Sequence, residues 1–271
     1  MMRKTNFIDI LRVIVVFILV LPLFLAWIPM ECYSHLLAEN LVKGNFFRNL
    51  VLSFQELSIT LVSTVIFAMI LSVLLGYLSV LSLKIGHFLA NVNNAVESVP
   101  SILIALFLYA PVSGALAKTS HSKSTILSLV VFVIAATVTV LPEAVRSISI
   151  PLADLYDKKY SVSFRSYGFT KNRILRVLMK MDIMKASVKR VAAGILLKTL
   201  VLDTSLGYVI QCGLGSTGTP SHTSPGALVA ANRKELLLGG TNPEWFWIPT
   251  ALLIAVSVAF LLILKKDKEE A

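Results

Sequence analysis

Long apolar stretches separated by short polar ones run along most of the chain. A helix needs about 20 mainly apolar residues to cross the hydrocarbon layer of a bilayer, and six stretches come near that length. They lie at residues 13–29, 57–83, 100–116, 126–142, 191–210 and 245–264. The pattern therefore predicts an all-α polytopic membrane protein with six transmembrane helices.

Composition supports the membrane prediction. Of the 271 residues, 56% are hydrophobic and 15% are charged, whereas an average soluble domain is about 25% charged. A soluble globule of this composition would have too little polar surface, and a disordered chain would be far less apolar. The first apolar stretch follows Arg3 and Lys4 but has no small-residue cleavage site near Trp27, so we expect an uncleaved membrane anchor rather than a signal peptide.

The cations predict the orientation of the spans. Six spans place both termini on one side, and 18 of the 25 Lys and Arg residues fall in the segments on that side. Six fall on the other side, and Lys198 lies within a span. Cytoplasmic loops carry an excess of cations, so both termini are predicted to be cytoplasmic. Trp27, Trp245 and Trp247 would then lie at the outer interface, where tryptophans are enriched.

No set of residues predicts catalysis. The chain has no phosphate-binding P-loop and no GxSxG motif, and its four histidines are scattered. The two cysteines, Cys32 and Cys212, have no metal-ligand spacing. We therefore expect no catalytic, cofactor-binding or metal-binding residues, and no enzyme activity in this chain. An intramembrane enzyme is the least favoured function class, and nothing predicts binding to nucleic acid.

The basic segment 143–190 lies between the fourth and fifth predicted spans. Within it, residues 157–168 predict a helix that ends at Gly168, because glycine commonly terminates helices. Residues 169–178 predict a second, amphipathic helix whose apolar residues are Ile174, Leu175, Val177 and Leu178. Two short helices around a glycine turn would form a rigid protrusion, here called the knob (residues 157–178), which suits docking to another protein.

This segment resembles the "EAA" loop of ABC importer permeases, in the dipeptide, oligopeptide and nickel branch. Tyr160, Arg165, Gly168, Arg173 and Ile174 fall in register with that loop. Further similar stretches are Gly76-Tyr77, residues 96–103, residues 203–208, residues 213–215 and residues 245–249.

The sequence also departs from the pattern of that family. Ser163 and Phe164 stand where the family has two alanines, and its usual histidine and proline after Ile174 are absent. We expect the groove of a partner ATPase to be adapted to the bulkier Phe164.

The resemblance implies a type I ABC importer permease fold, with one leading helix and a five-helix core. The implied divisions are an N-terminal tail, first helix and extracytoplasmic segment (1–56), a permease core (57–264) with a coupling loop (143–190), and a cytoplasmic tail (265–271). It implies a C-type permease subunit in a bacterial cytoplasmic membrane. The implied partners are a second permease subunit, two ABC ATPase subunits that bind ATP, and an extracytoplasmic substrate-binding protein, alongside membrane lipid.

The resemblance further implies a mechanism and a cargo. ATP would close the ATPase dimer, and the part of the knob from Lys159 to Arg173, centred on Gly168, would transmit that movement to the spans. Small peptides are the expected cargo, with nickel or a metal chelate as the alternative. The implied ATPase-coupling residues are Lys159, Tyr160, Ser163, Phe164, Arg165, Gly168, Phe169, Arg173 and Ile174.

Two charged residues, Lys198 and Asp203, lie within the fifth predicted span. Each costs a few kcal/mol, roughly 2.5–3.5, at a bilayer centre, and at this spacing the two do not pair on one helix. Lys198 could extend to the cytoplasmic interface. Asp203 could line the pathway or face the partner permease, or it could make a buried helix–helix hydrogen bond.

Other interpretations remain open at this stage. Residues 211–244 could form part of a seat for a binding protein or could be a plain connector. The chain could belong to an exporter of antimicrobial peptides or pheromones. It could also be a membrane scaffold whose basic loop recruits a cytosolic protein or anionic lipid.

Overall fold

The computed structural model describes residues 7–33, 41–109, 125–210, 224–236 and 242–269. In these ranges every regular element is helical. The α-helices are α1 (Phe7–Leu25), α2 (Leu41–Leu81), α3 (Leu83–Glu97), α4 (Ser101–Tyr109), α5 (Thr125–Asp157), α6 (Lys159–Ser166), α7 (Lys171–Leu178), α8 (Asp182–Ile210), α9 (Pro225–Ala231) and α10 (Glu244–Glu269). Short 3₁₀ turns lie at Met30–Tyr33 and Arg233–Leu236.

The chain is a helical membrane protein. Within the described ranges, four helices (α2, α5, α8 and α10) contain apolar stretches long enough to cross a bilayer. The pair α3 and α4, bent by 88°, would make a fifth crossing if it forms one broken span. Helix α1 has 19 residues and covers about 28 Å, close to the roughly 30 Å of hydrocarbon. The predicted all-α membrane class is confirmed, whereas the count of six spans stays a prediction.

Two of the long helices extend well beyond the predicted spans. Helix α2 begins at Leu41, so the boundary placed between residues 56 and 57 lies inside a continuous helix. Helix α5 does not end near Pro142 but continues to Asp157. Its extension is held because Ala144, Ile148 and Leu152 are buried in a cluster that includes side chains of α2.

The predicted cytoplasmic loop 143–190 is therefore mostly helix. Its first part continues α5, its last part begins α8 at Asp182, and the knob lies between them. Residues 84–97, which lie between the second and third predicted spans, belong to α3 (Leu83–Glu97). This helix has no buried side chain, and Arg146 of α5 holds it through Glu97 at 3.0 Å and Asn94 at 2.8 Å.

Three buried clusters hold the helices together. The first joins α1, α2, α8, α9 and α10 around Leu57, Leu200 and Val256. The second joins α2, α5, α7 and α8 around Ile148 and Leu175. The third, around Phe132, joins α4, α5 and α8. The second cluster packs the ends of α2 and α5 against the knob, and it is the part of the fold that positions the candidate site.

The tryptophans lie at different heights along α2. The indole Nε1 of Trp27 donates to Ser58 Oγ at 2.7 Å, and Trp245 stacks on Phe46 with ring centroids 5.3 Å apart. Phe46 and Ser58 are twelve residues apart, which is about 18 Å of helix. One shared level for Trp27 and Trp245, as predicted from the sequence, does not fit these contacts.

Candidate functional site

The turn between α6 and α7 is built around Gly168, as the sequence predicts. Gly168 has φ +78°, a left-handed conformation that glycine adopts without a steric cost. Its N–H donates to Arg165 O at 2.9 Å, and the N–H of Phe169 donates to Phe164 O at 3.2 Å. These two bonds define a Schellman motif. The ring of Phe169 meets that of Phe164 edge to face, with centroids 5.7 Å apart, which supplies the apolar contact that accompanies the motif.

Helix α7 anchors the knob to the membrane helices. Ile174, Leu175 and Leu178 are at most 2% exposed and lie in the cluster formed with α2, α5 and α8. Burying each such side chain is worth about 1.5–3 kcal/mol. Val177, the fourth predicted apolar residue, lies off the buried face and is 47% exposed. The hydroxyl of Tyr77, near the end of α2, donates to Asn172 O at 3.2 Å. The knob is thus fixed to α2 as well as to the two helices that flank it in sequence.

Helix α6 is tied back to the end of α5. Ser161 is buried and its hydroxyl donates to Leu155 O at 2.8 Å. Arg165 donates to Tyr156 O at 3.1 Å and also lies over the Tyr156 ring, 4.6 Å from its centroid. Lys171 of α7 lies 5.2 Å from the same ring centroid. These contacts hold both knob helices against the last turns of α5.

Several aromatic, apolar and basic side chains of the knob are exposed. Tyr167 is 81% exposed, Val162 is 48% exposed and Tyr160 is 37% exposed. Lys159 and Arg173 are also exposed. We call these five residues the knob surface. Tyr167 was absent from the residues predicted from the sequence, although an aromatic residue directly before the turn glycine was a usable signal.

Of the nine predicted coupling residues, five remain exposed in the structure: Lys159, Tyr160, Ser163, Arg165 and Arg173. Gly168 is also exposed but acts as the turn. The other three, Phe164, Phe169 and Ile174, belong to or pack against the buried cluster. The bulk of Phe164 is thus accommodated largely within this chain, against Phe169. An adapted groove on a partner ATPase stays a prediction.

The two charges within α8 lie away from the knob and from each other. Lys198 pairs through its Nζ with Glu143 Oε2 of α5, and both side chains are about half exposed. Asp203 is 1% exposed, and it follows Leu202, which belongs to the cluster of α4, α5 and α8. Burial inside this subunit favours the helix–helix alternative for Asp203 over a position facing a second permease.

The described part of 211–244 includes a short helix packed closely on α8. Residues Pro225 to Ala230 of α9 are all buried. A Cβ on Gly226 would lie 2.0 Å from Thr204 O, and one on Gly207 would lie 1.8 Å from Ser224 Oγ. Glycine is required at position 226, where the obstructing atoms are backbone, whereas at position 207 the Ser224 side chain would have to move. Residues 211–223 and 237–241 lie outside the described ranges, so a seat for a binding protein stays a prediction.

Comparison with known proteins gives no family assignment: no protein-family model matches the chain, and no curated protein matches it.

Proposed function

We propose that the chain is the permease subunit of an ATP-driven ABC transporter, and that the knob receives movement from a partner ATPase. One observation carries the proposal. The knob is exposed on one side and is rigidly packed on the other against the ends of α2, α5 and α8. Such a position suits an element that transmits force into membrane helices.

Transmission requires a stiff connection with discrete arrangements, because packed elements shift as units. Helix α5 enters the knob with a single residue between Asp157 and Lys159, and α7 is followed closely by α8 at Asp182. The buried face of α7 and the bonds from α6 to Leu155 and Tyr156 leave little freedom at the joint. Displacement of the knob would therefore shift α5 and α8 relative to each other.

The composition of the knob surface supports a protein partner. Tyrosine and arginine are enriched in protein interfaces, and an exposed apolar patch bordered by polar residues often marks a contact site. Tyr160 and Tyr167 supply the aromatic contacts, and Lys159 and Arg173 supply positive charge. The matching partner surface is a groove with acidic residues at its rim.

The remainder of the proposal rests on the resemblance described above. In it, the pathway forms between this chain and a second permease subunit in a bacterial cytoplasmic membrane, with both termini cytoplasmic. Two partner ATPases bind and hydrolyse ATP, and an extracytoplasmic binding protein delivers the cargo. The favoured activity is import of small peptides. Nickel or a metal chelate is the second candidate cargo, and export of antimicrobial peptides or pheromones is the alternative activity.

The experiment is affinity purification of the chain from native membranes, followed by ATPase assay of the purified complex. We expect a P-loop ATPase in stable stoichiometry, with hydrolysis stimulated by the loaded binding protein. Tyr167→Ala should remove the ATPase from the complex. Tyr208→Ala is the matched control, because Tyr208 is 45% exposed and lies near the opposite end of α8.

Two results would contradict the proposal. If the Tyr167→Ala variant retained as much ATPase as the Tyr208→Ala variant, the knob surface would not be the docking site. Purification of the chain with no ATPase, but with a cytosolic protein lost on the Tyr167→Ala change, would identify a membrane scaffold instead.

A further inference from the structure

A cavity of about 570 Å³ lies between α5, α8 and α10. Its polar side chains are Glu143, Ser147, Arg190 and Lys198. The rest of its lining is apolar or small, and includes Val191, Ile195, Leu261 and Leu264. The cavity is therefore amphipathic, with two cations and one carboxylate beside an apolar wall.

The cavity lies at the level where apolar helix gives way to polar chain. The apolar run of α10 ends at Leu264, where Lys265 and Lys266 follow in the sequence, and Leu264 lines the cavity. On α5, Glu143 directly follows the apolar run 126–142. Two helices thus place the cavity independently at the boundary between hydrocarbon and lipid headgroups, on the side of the membrane where the knob lies.

Lys198 is suited to bind an anion here. Its side chain is 50% exposed although it lies within a membrane helix. An ammonium group has three donors, and Glu143 accepts from one of them. Arg190, two helical turns before Lys198, adds a second cation to the same lining. Basic pockets between membrane helices at the headgroup level bind anionic lipid headgroups.

We infer that this cavity binds an anionic glycerophospholipid from the leaflet on the knob side. Its phosphate lies between Lys198 and Arg190, and its acyl chains lie along the wall that includes Leu261 and Leu264. A free phosphate would share the headgroup chemistry but would make no use of that wall. The inference rests on the membrane placement of α5, α8 and α10, and it goes beyond the proposed transport role because a lipid site does not require an ATPase.

The experiment is native mass spectrometry of the purified full-length chain with phosphatidylglycerol and phosphatidylcholine of identical acyl chains. We expect phosphatidylglycerol to be retained preferentially. Lys198→Gln should lower its retention about fivefold, the effect of one lysine near a charged lipid surface. Lys189→Gln is the matched control, because Lys189 is exposed on the same helix but does not line the cavity.

A second variant separates the cation from the ion pair. Glu143→Gln breaks the pair with Lys198 but leaves the cation, so retention of phosphatidylglycerol should stay equal or rise. Equal retention of the two lipids, equal effects of Lys198→Gln and Lys189→Gln, or loss of retention in Glu143→Gln would each overturn the inference. Displacement of phosphatidylglycerol by millimolar inorganic phosphate would identify a site for soluble anions, and would also overturn it.

Discussion

At the residue scale, the knob depends on the backbone of Gly168 more than on any side-chain contact there. A Cβ at this position would meet no atom within 4 Å, so a substitution is opposed by the positive φ and not by crowding. The left-handed conformation costs a non-glycine residue roughly 1–2 kcal/mol. This conformational energy would destabilise the Schellman motif, and the knob would therefore become less ordered.

We therefore predict that Gly168→Ala loosens the knob by about 1 kcal/mol, seen as faster amide exchange over residues 159–178. Gly194→Ala is the control: its Cβ would also have open space, but its helical backbone suits alanine. That variant should be neutral or slightly stabilising, by about 0.5–1 kcal/mol. Unchanged exchange in the knob of Gly168→Ala would show that the positive φ is not what orders the turn.

The same position tests the transport proposal. Gly168→Val adds a branched side chain to the strained backbone, so we expect ATP hydrolysis to continue while uptake is lost at normal abundance of the protein. If uptake persisted in Gly168→Val, the knob would not be the element that transmits movement.

At the element scale, the packing of α9 on α8 has no room for added volume. Gly226→Ala would place a methyl group against Thr204 O, and overpacking of this kind costs about 1–3 kcal/mol. We predict a lower midpoint of thermal unfolding in detergent for Gly226→Ala, with Gly194→Ala again as the tolerant control. If Gly226→Ala and Gly194→Ala unfolded at the same midpoint, α9 would move away from α8 without a cost in free energy, which would contradict the prediction.

Helix ends are where the sequence prediction and the structure differ most. The predicted end of the fourth span near Pro142 rested on the change from apolar to polar residues. Helix α5 continues because Ile148, Leu152 and Leu155 recur at near-helical spacing and are buried. That spacing was present in the sequence, but the partner surface on α2 that buries it was not.

At the scale of the whole molecule, the orientation of the chain can be tested with native Cys32, which is exposed near the end of α1. Cations favour the knob side as cytoplasmic. We predict that a membrane-impermeant maleimide labels Cys32 in intact cells. In a Cys32→Ser, Cys212→Ser background, Tyr167→Cys should be labelled only after permeabilisation. Labelling of both positions from the same side would contradict the proposed arrangement of crossings.

Some properties of this protein follow from the sequence alone, because they depend on short stretches or on counts. Apolar length and composition predict a helical membrane protein, and the structure agrees. The two knob helices and the glycine between them follow from local spacing and from the conformational freedom of Gly168. None of these requires knowledge of which helices touch.

Other properties were decided only by the tertiary structure, because they depend on neighbours distant in sequence. Phe164 packs inward because Phe169 lies beside it across the turn. Lys198 pairs with a carboxylate 55 residues away on α5, and Asp203 is buried although it lies on the same helix. Whether a charge within a span meets a partner, a cavity or the protein interior depends on how helices pack, and residue type and spacing on one helix do not specify that packing.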